Sequence, residues 1–79
     1  MRGVEPHQVM VHLRRCGVVV HLVTRMPSPA EEGSRTLVVF LEGNLCQSGL
    51  AYECMHKFPG VSGVTFSGSV PSIMYVTSK

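Results

Sequence analysis

Residues 43–60 read GNLCQSGLAYECMHKFPG, and the fold turns on whether this stretch is a helix. Asn44 is a strong helix start, because its side-chain oxygen can accept one of the amide protons left free in a first turn. Pro59 and Gly60 are stop signals. Between them Cys46, Leu50, Cys54 and Phe58 recur every four residues, with Ala51 and Met55 beside them. That spacing predicts one apolar helical face.

The helix reading constrains the cysteines. Cys46 and Cys54 stand eight positions apart, about 12 Å along a helix axis. A disulfide needs Cα atoms within roughly 7 Å. One zinc ion, with bonds of about 2.3 Å to sulfur, does not bridge such a gap either. His56 falls nearly on the opposite side of the helix from Cys54. Free cysteine is small, apolar and often buried, so core packing is the favoured reading of this pair.

Strands are expected on both sides. Residues 18–26 and 36–41 are rich in β-branched and large apolar side chains. Residues 27–34, PSPAEEGS, separate them as a proline-broken loop, giving a long-looped hairpin. After the helix, residues 61–67 make a weaker strand thinned by Gly63, Gly68 marks a turn, and residues 73–77 make the last strand. Near the start, Pro6 suits a first helical turn. Val9, Met10, Leu13 and Cys16 share one helical face, and Gly17 suits the residue after a helix. A strand over residues 9–13 is the alternative, since valine is a weak helix former.

The order is therefore α-β-β-α-β-β, and residues 1–79 read as a single small domain. The expected fold class is α+β: a two-layer sandwich with a four-stranded, mainly antiparallel sheet and two helices on one face. That arrangement equals a permuted ferredoxin-like sandwich, its ends cut in a different place. The two halves share too little to argue for an internal repeat.

Two helices cover only one sheet face, yet strict alternation makes both faces of the first hairpin apolar. Val18, Val20 and Leu22 would point one way, and Val19 and Val23 the other; Leu37, Val39 and Leu41 oppose Val38 and Phe40. Strands buried on both sides read like this. The expected interface is Val19, His21, Val23, Val38 and Phe40, covered by a second copy of the chain in a homodimer or by another protein partner.

Composition narrows the function classes. A chain of 79 residues buries only about 60% of its unfolded surface. With 44% apolar and 15% charged residues it is not a disordered chain. Its net charge of +2 is weak and scattered, so nucleic acid is not an expected partner; Phe40, Phe66 and Tyr75 would be the bases' stacking platform if one existed. There is no aspartate, no paired carboxylate beside a histidine in sequence, no nucleophile elbow and no phosphate loop, so an enzyme is not expected. A weak enzyme or ligand site would have to use Glu42, Cys46 and His21. The sparse charge also fits a fragment of a larger protein.

Three cysteines cannot all pair within one chain. No stretch resembles a signal peptide, and the apolar run over residues 18–23 is far too short to span a membrane. These features predict a soluble cytoplasmic protein with free thiols in a reducing compartment.

Residues 43–49, GNLCQSG, resemble the strand-to-helix loop of heavy-metal-associated domains, whose Gly-Met-Thr-Cys-x-x-Cys motif binds soft ions such as copper. Gly43, Cys46 and Ser48 match; Asn44 replaces methionine and Gly49 replaces the second cysteine. The resemblance implies a ferredoxin-like fold and a soft-metal or redox role for Cys46, with Cys16 or a second copy supplying the missing thiolate. A helix N-terminus also favours a thiolate at Cys46. The alternative function is thus a thiol-dependent metal-binding or redox protein, with Cys46 and Cys16 as ligands; the leading one is a non-enzymatic interaction module without cofactor.

Overall fold

A computed structural model describes residues 4–26, 35–68 and 71–78. The elements are α1 (Pro6–Arg15), β1 (Val20–Arg25), β2 (Arg35–Leu41), α2 (Leu45–His56), β3 (Val61–Phe66) and β4 (Ile73–Ser78). The expected loop over residues 27–34 lies outside the described residues.

Local chemistry sets the helix ends. Pro6 occupies the first turn of α1, where a missing amide proton does no harm. Gly17 follows at φ +89°, a left-handed conformation that glycine adopts without a Cβ clash. The Asn44 side chain accepts from the Gln47 amide at 2.8 Å and so caps α2. After α2, Gly60 takes φ +93° and brings its backbone against Val4.

The four strands form one antiparallel sheet in the order β1-β2-β4-β3. The strand β4 therefore lies between β2 and β3, which run parallel to each other and are joined through α2. Val9 and Leu13 of α1 join Ala51, Cys54 and Met55 of α2 in a single buried cluster with Val20, Val23, Leu37, Val39, Leu41, Val64, Met74 and Val76 of the sheet. Both helices thus cover the same sheet face, and the molecule is a two-layer α+β sandwich. An ion pair between Glu5 and Arg25 ties the start of α1 to the end of β1.

Two expectations about side-chain direction are corrected. Strict alternation places Leu22 inside and Val23 on the open face. In the structure Val23 is buried and Leu22 is 51% exposed. The cause is a bulge: Val20 pairs with Leu41 and Leu22 with the next residue, Phe40, so His21 is an extra residue without a partner. One inserted residue reverses the alternation after it. Val23 then pairs with Val39 in the core and leaves the expected interface.

The second correction concerns α2. The inward residues are Ser48, Ala51, Cys54 and Met55, while Cys46 and Leu50 are exposed. A row of residues spaced by four drifts around the axis by about 40° per step, because the helix has 3.6 residues per turn. The row from Cys46 to Phe58 therefore reaches the core only at its C-terminal end. Ser48 is accommodated because its hydroxyl donates to the Leu45 carbonyl at 2.9 Å.

Candidate functional site

Two places stand out: the uncovered face of the sheet, and a sulfur–imidazole cluster between the helices.

On the open face the register brings Leu22, Phe40 and Ile73 into one row across β1, β2 and β4. The next row is Thr24, Val38, Tyr75 and Thr65. Val38, Phe40, Ile73 and Tyr75 are half-buried by their neighbours and by one another, and no described element lies over them. Val19, just before β1, is 50% exposed. Of the five expected interface residues, Val38 and Phe40 stand on this face and Val19 is exposed beside it. His21 is the bulged residue; its side chain is exposed and its Nε2 lies 3.5 Å from a Glu42 carboxylate oxygen. Phe66 pairs with Met74 on the helix-covered side, so Phe40, Phe66 and Tyr75 do not form a shared stacking platform.

The cluster forms where α1 ends against the last turn of α2. His12 and Cys16 stand one turn apart on α1, and Cys54 faces them from α2. Cys16 and Cys54 form a disulfide with Cα atoms 6.5 Å apart. This corrects the expectation of free thiols throughout: the helix spacing that separates Cys46 from Cys54 says nothing about Cys16, which comes from another helix. It also weakens the expectation of a reducing compartment, where such bonds are rare. The structure does not bring Cys46 to Cys16. Cys46 is a free, exposed thiol in the first turn of α2, about 12 Å along the axis from Cys54.

His12 completes the group. Its Nε2 lies 3.0 Å from the Cys54 carbonyl oxygen. A carbonyl can only accept, so Nε2 carries the proton and donates. The same carbonyl also accepts from the Lys57 amide at 3.2 Å, so the imidazole takes its second lone pair. The His12 ring also meets Phe58 edge to face at 4.9 Å. One ligating atom from each of His12, Cys16 and Cys54 lies within 4.8 Å of the others. Among the described residues this is the group with the donor set of a metal centre, and sequence reasoning missed it. The signal was the His12–Cys16 spacing of four; pairing His12 with His7 instead gave an unhelpful spacing of five.

Beside the cluster, a cleft of about 500 Å³ is lined by His7, Val11, His12 and Phe58 among others. Among the described residues no buried side-chain polar atom lacks a hydrogen-bond partner. No described helix is long and apolar enough to cross a membrane. No protein-family profile matches the chain, and neither a curated protein nor a solved structure matches it, so the geometry alone carries the functional reading.

Proposed function

We propose that this chain is a small non-enzymatic interaction module that associates with a second copy of itself through the open face of its sheet. The observation behind this reading is the apolar surface made by Leu22, Val38, Phe40, Ile73 and Tyr75, on the side opposite both helices. Open apolar faces of this kind on small domains mark association sites.

Chemistry favours a second copy over a different partner. The two rows at the centre of the face carry no charged residue, so they offer no pattern for a complementary charged surface to read. Flat sheet faces pack well on flat sheet faces, about 10 Å apart with strands inclined by about 30°. Four strands with about six residues each give a plane of roughly 19 by 20 Å. That is about 380 Å² per partner before corrugation by side chains, below the standard size of stable interfaces and in the range of weak, transient ones. The dimer is accordingly a reversible one.

The element order supports a finer reading of the fold as well. Placing β4 ahead of α1 turns α-β-β-α-β-β into β-α-β-β-α-β, the order of the ferredoxin-like sandwich. On this reading the chain is a circular permutation of that sandwich, an analogy of fold that assigns no function.

Analytical ultracentrifugation over a wide concentration range tests the association. The wild-type chain is expected to dimerise and Phe40→Lys to remain monomeric with an unchanged far-UV spectrum. Leu50→Lys, on the exposed side of α2, should dimerise like the wild type. A wild-type chain that stays monomeric at the highest concentration ends the proposal.

A further inference from the structure

We propose that His12, Cys16 and Cys54 form a redox-gated zinc site: the dithiol form binds Zn²⁺ through both sulfurs and the imidazole, and the disulfide closes the site. This inference is independent of the sheet-face association.

The geometry is close to that of the bound ion. Tetrahedral zinc with sulfur bonds of about 2.3 Å holds its two sulfurs about 3.8 Å apart. Sulfur and imidazole nitrogen on the same ion stand about 3.6 Å apart; the three ligating atoms lie within 4.8 Å of one another, so opening the disulfide and a shift of up to about 1 Å at the imidazole would complete the set. The positions are anchored on two helices packed together, with Cys54 5% exposed and Leu13 beside His12 fully buried. Sites built on such elements hold their ligands more accurately than loops do.

The histidine also keeps one ring nitrogen available to an ion. With Nε2–H donating to the Cys54 carbonyl, the lone pair resides on Nδ1. A metal-binding histidine normally donates its other ring proton to a carbonyl or carboxylate, which fixes ring and tautomer. Three protein ligands leave a fourth position, and His12 borders the open cleft as well as the cluster. Two thiolates, one imidazole and an open position form a recognised zinc donor set. Soft sulfur donors exclude magnesium and calcium.

The chemistry balances as follows. A dithiol reductant gives two electrons and two protons to the Cys16–Cys54 bond, yielding two protein thiols and the reductant's own cyclic disulfide. Zinc then displaces the two thiol protons as it binds, so its affinity rises with pH. Reoxidation by a small-molecule disulfide reverses the sequence: the two thiolates form the protein disulfide, the oxidant leaves as two thiolates that take up two protons from water, and Zn²⁺ is released.

The test uses the full chain, reduced with a water-soluble phosphine, desalted without oxygen and titrated with Co²⁺ and then Zn²⁺. The expected result is one Co²⁺ per chain with thiolate-to-cobalt charge-transfer absorption and tetrahedral ligand-field bands, bleached by Zn²⁺. The oxidised chain gives neither. Cys46→Ser should bind as the wild type does, Cys16→Ser or Cys54→Ser should lose the signal, and His12→Ala should weaken binding by about tenfold or more. Far-UV circular dichroism accompanies each titration, and a reduced chain that unfolds and then refolds with Zn²⁺ also supports the site. The proposal is overturned if the reduced chain binds no Co²⁺, if Zn²⁺ fails to restore a fold lost on reduction, if His12→Ala binds undiminished, or if Cys46→Ser abolishes binding.

Discussion

Opening the Cys16–Cys54 bond should cost this domain a large part of its stability, and the size follows from the chain length that the bond closes. The two cysteines are 38 residues apart. Closing a loop of that size restricts the unfolded chain by about 4 kcal/mol on the chain-entropy account. A folded chain of 79 residues has a total stability of roughly 4–12 kcal/mol. Loss of the bond therefore removes a third or more of the total and lowers the melting temperature by about 15–30 °C. Guanidinium unfolding with and without a phosphine reductant, followed by circular dichroism, measures the difference. Extrapolated free energies must be compared rather than midpoints, because the crosslink also compacts the unfolded state and changes the slope. Cys16→Ala/Cys54→Ala gives the same quantity without reductant, apart from the packing lost at Cys54. Alkylation before reduction should mark one thiol per chain, at Cys46. A difference below about 1 kcal/mol, with the bond shown to be present, would refute the entropic reasoning.

Other positions give sharper local tests. Gly49→Ala should stabilise the chain by about 0.5–1 kcal/mol, since it lies inside α2 and an added methyl would meet nothing within 4 Å. Gly60→Ala should instead destabilise by about 1–2 kcal/mol, because φ is +93° and the new Cβ would stand 3.1 Å from Val4; equal effects at the two glycines would contradict the backbone described. Leu37→Ala, at 2% exposure, should cost about 2–5 kcal/mol, while Leu45→Ala, at 78%, should stay within about 0.5 kcal/mol. Asn44→Ala should cost about 1 kcal/mol through loss of the α2 cap, read from the same unfolding curves.

The order of elements was legible because each boundary has its own chemistry. Pro6 and Asn44 stand at the starts of the two helices and Gly17 just after the end of the first, as the sequence places them, while α2 ends at His56, three residues before the expected stop at Pro59. What was not legible depended on the third dimension. The bulge at His21 leaves no trace in composition, yet it exchanges Leu22 and Val23 between core and open face. The buried flank of α2 was misplaced because a spacing of four holds to one face for only a turn or two. The disulfide joins residues far apart in the chain, so the argument from helix spacing could not find it. Cys46, the cysteine singled out by its loop, is the one left free. His12 entered the site through packing of α1 on α2, which no local pattern announces.

The two strands with interrupted registers are the outermost ones, β1 with its extra residue at His21 and β3 with an irregularity between Val61 and Gly63. A smooth border would offer neighbouring molecules a ladder of free amides and carbonyls to extend without limit. Here each border is kinked, so edgewise growth into fibres lacks a regular template. The association proposed through the broad surface would instead join two molecules and then stop, since the described residues of each form one such surface.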